Sequence, residues 1–268
     1  MTRQELIARL AQSGVRADKS LGQNFLVEPE VLDEIVASAG IRADDTVLEI
    51  GPGLGFLTER LAQQARRLVV IEKDERMIAH LQSIASNLEI RLADILDSDL
   101  SDLTDYKVVA NIPYYITSPI FRKLLSGTNR PASITALVQK EVAERICARP
   151  GKMSVLALSV QYYGEPRYVR TVPADSFVPA PKVDSAVLHI EVFDQPAFAA
   201  DEKQLFRLIK AGFGEKRKML RNSLAGGLHM DSESVMSLLK DAGIIETARA
   251  QELSLDQWQS LYRTWQAI

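Results

Sequence analysis

The segment Asn111-Ile112-Pro113-Tyr114 puts an amide, a rigid turn and an aromatic ring at the end of an apolar run, Val108-Val109-Ala110. The run reads as a buried strand of a parallel sheet, and Pro113, with no N–H to give a ladder, ends it. These residue types suit chemistry on the exocyclic amine of an adenine. That nitrogen is a weak nucleophile, because its lone pair is delocalised into the ring. Accepting both amine hydrogens favours a pyramidal nitrogen, and the Asn111 side-chain carbonyl and Ile112 backbone carbonyl can accept one each. Pro113 would fix the turn that aims them, and Tyr114 would stack on a base taken out of its helix. Attack needs no general base, since the ammonium product is acidic; what the residues supply is polar positioning. The competing reading is a helix N-terminus entered through a proline turn, with two surface tyrosines.

A second constellation precedes it. Val47-Leu48-Glu49-Ile50 leads into Gly51-Pro52-Gly53-Leu54-Gly55 and then a helical pattern. Glycines there allow a tight turn and close approach of backbone to ligand. The spacing is not the G-x-G-x-x-G of dinucleotide folds, and Glu49 would sit badly beside a pyrophosphate. It suits a cationic ligand instead. Glu72 ends the next strand, about 20 residues on, where a carboxylate accepts both hydroxyls of a ribose. Asp94 ends the third strand, where it can accept from an adenine amino group. A ribose, an adenine and a positive charge without phosphate describe S-adenosylmethionine. The alternative is a tight turn flanked by solvated strand-end carboxylates.

Alternating elements must carry these residues. From Glu28 to about Glu141, helical patterns at 28–40, 56–65 and 75–85 alternate with strands at 46–50, 67–72, 88–94, 107–111 and 133–139. This predicts a doubly wound parallel α/β sheet, with its ligands beyond the carboxyl ends of the strands. Pro29 opens the first of these helices and Gly40 closes it. After a section at 153–192 with a proline-marked loop, 194–201 reads as a linker. The pattern from Glu202 onward is helical, with Gly212, Gly214, Gly226, Gly227 and Gly243 read as breaks. The expected domains are 1–195, including an N-terminal segment 1–27, and 196–268.

The motifs "KSLGQNFL", "NIPYYITSPI", "FVPAPKVDSAV" and "FGEKRKMLRNSL", in this order and over nearly the whole chain, resemble the ribosomal RNA adenine dimethyltransferase family in its bacterial small-subunit, kasugamycin-sensitivity branch. The resemblance implies a Rossmann-like class I S-adenosylmethionine-dependent methyltransferase sheet with a small C-terminal all-helical domain. It implies that Asn24 and Leu26 cover the methyl donor, that Gly51, Glu72, Asp94 and Asn111 line the same pocket, and that Phe177 faces Tyr114 across the target adenine. The implied reaction dimethylates two adjacent adenosines in the 3′-terminal hairpin loop of 16S RNA in the 30S subunit or its precursor, with four methyl transfers. Ile112 stands where leucine is commoner, and the run GEKRKML varies the more usual arginine, lysine and threonine. The second departure bears on RNA grip, because Lys and Arg differ at phosphates.

Lys216, Arg217, Lys218 and Arg221 fall within six positions, against the single acid Glu215. On a helix Lys218 and Arg221 would share a face, with Leu220 and Leu224 on another. The segment reads as an RNA phosphate patch or as a solvated helix face, with the residues alone favouring neither. His80, His189 and His229 lack metal-ligand spacing, so no metal is expected; Cys147 reads as packed, and Trp258 and Trp265 as core.

Composition bounds the rest. The chain has 268 residues, of which 46% are apolar and 25% charged, a net charge of −3 and one cysteine. Internal disulfides are excluded and a reducing compartment, the cytoplasm, is expected. No apolar run approaches the roughly 20 residues of a membrane helix, and the expected state is a monomer. The rival functions are the erythromycin-resistance branch acting on large-subunit RNA, whose members typically begin SQNF rather than GQNFL, a non-catalytic assembly or transcription factor, and a small-molecule methyltransferase. The beginning of the chain lacks an Arg- and Ser-rich leader, which counts against a mitochondrial factor.

Overall fold

A computed structural model describes every residue of the chain except 216 and 217. The strands are β1 (Phe25–Leu26), β2 (Thr46–Ile50), β3 (Arg67–Glu72), β4 (Leu88–Leu92), β5 (Tyr106–Asn111), β6 (Ser133–Gln139), β7 (Gly164–Val172), β8 (Phe177–Val178) and β9 (Ser185–Val192). Seven of them form one sheet in the order β4-β3-β2-β5-β6-β9-β7, and β1 pairs with β8 in a separate small sheet. The five strands read from the sequence run parallel, as expected. The sheet as a whole is mixed, however, because β9 lies antiparallel to β6, from Ser133↔Glu191 to Gln139↔Ser185. Two helices and β7 separate β6 from β9 in the chain, so no single helical crossover joins them as a parallel pair.

Burial explains why these runs are strands. All five residues of β2 are buried, as are Val108, Val109 and Ala110 of β5. Strands covered on both faces read as continuous apolar runs rather than alternating ones. The helix Pro29–Ala39 packs on β5 and β6 through Val31, Leu32, Ile35 and Val36, each worth ~1.5–3 kcal/mol when fully buried. Pro29 stands in its first turn and Gly40 ends it in the left-handed region at φ 55°, as the sequence predicts. The helix Arg3–Gln12 is closed by a Thr2–Glu5 capping box, and its Arg9 makes a two-pronged bond to Glu59 at 2.9 and 2.7 Å.

The chain divides into two compact units, residues 1–143 with 165–194, and residues 144–164 with 195–268. The boundary expected at 195/196 thus misses that 144–164 folds with the C-terminal helices. Gly151 and Met153 donate to the Gln251 carbonyl at 2.9 and 3.1 Å, and the Tyr162 ring meets Phe198 and Phe206 edge-on. Such long-range pairings leave no local mark in the sequence.

Within the second unit the helices Glu202–Gly212, Leu220–Leu228, Ser232–Asp241 and Leu255–Gln266 enclose Trp258, which is fully buried and stacked on Phe213. The glycines read as breaks behave differently from one another. Gly243 is a break, at φ 71°, whereas Gly226 and Gly227 lie inside a helix and Gly212 at the end of one. Gly227 is there for close approach: a Cβ would sit 2.6 Å from Ala211 Cβ on the neighbouring helix. Around Gly226 a Cβ would meet nothing within 4 Å.

These two adjacent glycines should therefore respond oppositely to alanine. Gly226→Ala should stabilise the unit by up to about 1 kcal/mol through helix propensity. Gly227→Ala gains the same propensity but forces the helices apart, at a cost of ~1–3 kcal/mol, and should come out destabilised. Both tryptophans of the chain lie in this unit, so denaturant titrations followed by intrinsic fluorescence report on it. Equal shifts for the two variants would contradict the packing.

Candidate active site

Strand β2 pairs with β3 on one side and β5 on the other, so the strand order reverses there. Loops leaving the carboxyl ends of β2 and β5 diverge to opposite faces of the sheet, and the crevice between them is where α/β folds hold ligands. A cavity opens at this point. It is lined by Asn24, Leu26, Gly51, Glu72, Asp94, Asn111 and Tyr114, seven of the residues singled out from the sequence.

The glycine loop leaves β2 in an unusual conformation. Gly51 sits at φ 67°, with its N–H given to the Ile71 carbonyl at 3.0 Å. Gly53, at φ 55°, lies under the Phe25 ring, where a Cβ would approach Cε1 to 3.1 Å. Glu72 accepts the N–H groups of Gly53, Lys73 and Asp74 at 3.0, 2.8 and 2.8 Å. Burial pushes its pKa up and these three amides oppose the shift. The carboxylate is thus aimed into the cavity with acceptor capacity to spare, since two oxygens offer about four sites. Asp94 accepts from the Lys73 ammonium at 2.8 Å and from the Leu96 N–H at 2.9 Å, and the lysine holds its pKa below the ordinary value.

Asn111 ends β5 with its amide oriented. Its Nδ2 donates to the Asn24 backbone carbonyl at 3.1 Å, which turns the side-chain oxygen the other way, free to accept. The segment around Asn24 is itself tied down. Asn24 Nδ2 donates to the Gly22 carbonyl at 3.1 Å, and Gln23 Nε2 donates to Asp74 at 2.8 Å. Asp74, gripped by Arg76, has its pKa lowered to about 2. Tyr114 follows Pro113 in a short 3-10 turn, half-buried, and its hydroxyl lies 2.5 Å from Ser185 Oγ. Gln23, Lys73 and Ser185 were not singled out from the sequence. Gln23 and Ser185 both lie inside quoted motifs, but Ser185 reaches the site only through the antiparallel return of β9.

Two groups of expected residues lie elsewhere. Phe177 stands in β8 opposite Leu26, 3% exposed and packed in the apolar cluster with Phe25 and Leu26 rather than among the side chains lining the cavity. Of the basic run, Lys216 and Arg217 lie outside the described residues. Lys218 and Arg221 do not share a helix face: Met219 is extended (ψ 147°) and the helix starts at Leu220, leaving Lys218 in the preceding turn. Lys218 pairs with Glu215 at 2.5 Å and Arg221 with Glu246 at 3.7 Å, both at the surface. Leu220 and Leu224 are buried on one helix face, as expected. Among the described residues no three His, Cys, Asp or Glu side chains group as a metal site, and no helix is long and apolar enough to cross a membrane. His189 is a core residue bonded to Thr135 at 2.9 Å, and burial raises the pKa of the half-buried Cys147.

The donor set fits S-adenosylmethionine. Glu49 is 1% exposed, and its Oε2 finds no hydrogen-bond partner among the described residues. Burial, with the neighbouring Glu72 charge adding to it, pushes its pKa from 4.5 to about 8. A buried acid with an unsatisfied oxygen beside a glycine turn is a poor neighbour for phosphate and a good one for a sulfonium or ammonium. Glu72 and Asp94 would hold the ribose and adenine. Because Glu49 ionises at lower pH unfolded than folded, it costs the ligand-free protein stability as pH rises from about 4.5 to about 8. Glu49→Gln should therefore raise the melting temperature, with a gap that widens over this window and levels off above it. A pH-independent gap would place an ionised Glu49 in the folded protein throughout.

Residues 14–267 match the ribosomal RNA adenine dimethylase family. The chain is 41% identical over 256 residues to ribosomal RNA small subunit methyltransferase A of Dehalococcoides mccartyi, covering 92% of this chain and 88% of that protein. It is 40% identical over 260 residues to the protein of the same name in Desulfitobacterium hafniense, with 94% of each covered. Among solved structures, a dimethyladenosine transferase from Plasmodium falciparum superposes with a TM-score of 0.80 at 26% identity over 91% of this chain and 98% of that one. The 23S rRNA methyltransferase ErmE superposes with a TM-score of 0.75 at 28% identity, over 90% and 99%. With the family pattern spanning almost its whole length and a methyl-donor cavity at the reversal of its sheet, the chain belongs to the ribosomal RNA adenine dimethylase family, the S-adenosylmethionine-dependent rRNA adenine methyltransferases.

Proposed function

We propose that this enzyme dimethylates the N6 amines of two adjacent adenosines in the 3′-terminal hairpin loop of 16S RNA, within the 30S subunit or its precursor. What carries the choice of the small subunit is the pair of relatives at 40–41% identity over more than nine-tenths of the chain, both named for that subunit. The 23S enzyme shares the fold at 28%. S-adenosylmethionine, held by Glu72, Asp94 and the glycine turn under Asn24 and Leu26, supplies a methyl group activated by its sulfonium.

The chain's own residues then prepare the nucleophile. Tyr114 stacks on the extruded adenine, and Phe177, on the strand paired with the cover segment, is the second ring in this reading. Asn111 accepts one amine hydrogen through the oxygen that its bond to Asn24 leaves free, and the Ile112 carbonyl accepts the other. These acceptors gain most as the nitrogen pyramidalises, so they favour the transition state over the bound substrate. The unit holding 195–268, with Lys216, Arg217, Lys218 and Arg221, grips RNA phosphates.

Asn111→Ala should therefore slow single-turnover methyl transfer at saturating cofactor by ~2.7–4 kcal/mol in barrier terms, with RNA affinity nearly unchanged. Transfer at the wild-type rate would make the turn structural. Mapping tritiated methyl groups onto unmethylated small- and large-subunit particles tests the substrate; label on the large subunit would favour the 23S reading. Replacing the four basic residues together should lower the slope of log affinity against log salt by about 0.7–0.9 for each phosphate no longer neutralised. An unchanged slope would leave that segment a solvated surface.

A further inference from the structure

The Tyr114 ring is held at its polar end. Its hydroxyl lies 2.5 Å from Oγ of Ser185, which opens β9 directly opposite Gln139 at the end of β6 and is fully buried. The residue before it is fixed as well. The Asp184 carbonyl accepts from the Lys140 N–H at 3.0 Å and its carboxylate from the Ala174 N–H at 3.1 Å. The partner of the Tyr114 hydroxyl is therefore carried by the main sheet, not by a loop.

This placement has a mechanical consequence. A tyrosine ring swings about its first side-chain torsion and spins about its second, and only the swing moves the para oxygen. Stacking on a base needs only the ring, so a phenylalanine would offer the same face. What the hydroxyl adds is a fixed far end: with Cα set by the Pro113 turn and the para oxygen tied to β9, the long axis of the ring is held against swinging before any base arrives. Tyr114 lines the cavity beside Asn111, three residues away on the same turn. A tilt of the ring would move a stacked base relative to the acceptors that polarise its amine, and transfer rates are sensitive to such shifts.

We propose that Ser185 is a positioning residue for methyl transfer, fixing the long axis of the Tyr114 ring against which the target base is stacked. The inference rests on the reading of Tyr114 as a base-stacking residue. Burial raises the Tyr114 pKa, with the Ser185 bond opposing it, so the phenol keeps its proton at neutral pH and the link is a neutral hydrogen bond.

A double-mutant cycle tests this, with single-turnover transfer to unmethylated small-subunit particles, particle affinity and cofactor affinity measured for Ser185→Ala, Tyr114→Phe and both together. Each single variant should lose about three- to ten-fold in rate, the worth of one neutral hydrogen bond, and the double variant no more than either. Cofactor affinity should not move, and the loss should fall on the rate rather than on particle affinity. A packing role for Ser185 would instead give losses that multiply, because Tyr114→Phe would leave it intact. Multiplying losses, or wild-type rates in either single variant, overturn the proposal. Tyr114→Ala separates this from the underlying reading. If it transfers methyl normally, the stacking role fails and the proposal with it; if it is impaired while the cycle shows no coupling, the positioning role alone fails.

Discussion

The hydrogen bond from Asn111 Nδ2 to the Asn24 carbonyl, at 3.1 Å, decides what the cavity can do. An amide has a donor end and an acceptor end of nearly equal size, and only its partners say which faces a substrate. With one of its two N–H groups given to Asn24, the amide is held in one orientation, and its acceptor end is left for an amine. The bond spans 87 residues, so it also ties the segment that covers one side of the cavity to the strand that ends at the other. The remaining contacts of that segment, from Gln23 to Asp74 and from β1 to β8, serve to keep the Asn24 carbonyl where the amide needs it.

The carboxylates show a second trade. Glu72 is buried, yet three backbone amides compensate its charge, which is the ordinary way a buried polar group is kept. Glu49 lacks that help for Oε2, and an unsatisfied buried acceptor costs ~1–3 kcal/mol. The Glu72 charge also raises the cost of ionising Glu49. Packing alone would favour a neutral residue at 49. A cationic ligand reverses that balance, because the same low dielectric that penalises a lone carboxylate strengthens its attraction for a positive charge. Stability surrendered without the ligand becomes affinity for it.

Much of this is legible in the sequence, for reasons that can be named. Buried parallel strands need continuous apolar runs, so β2, β3, β5 and β6 announce themselves. Residues that follow such runs lie at one edge of the sheet, which gathers Gly51, Glu72 and Asn111 from the sequence alone. What escapes depends on pairings distant in the chain. Ser185 meets Tyr114 across 71 positions because β9 inserts antiparallel beside β6. Gly227 looks like a helix break until Ala211 is seen against it. Segment 144–164 joins the helical unit through Gln251 and Phe198, contacts with no periodicity of their own. The basic helix starts only at Leu220, later than the charge pattern suggests, and this removes Lys218 from the face expected for it.

The small β1–β8 sheet joins two segments that the sequence keeps far apart. Its register sets Leu26 opposite Phe177 and Phe25 opposite Val178. Side chains on a strand alternate between faces, so a slip of one residue would break both pairs and turn the slipped strand's side chains to the other side. Leu26 would then leave the cavity it lines, and the Phe25 ring would leave Gly53, which has room for it only because it lacks a Cβ. The apolar cluster that includes Phe25, Leu26 and Phe177 resists that slip, because each of these rings and branches is buried in the present register. A two-residue strand has too few ladder bonds to fix its own alignment, so side-chain burial must do it. The segment lining the cavity at Leu26 and the strand bearing Phe177 are consequently set by one packing arrangement, and neither can shift without the other.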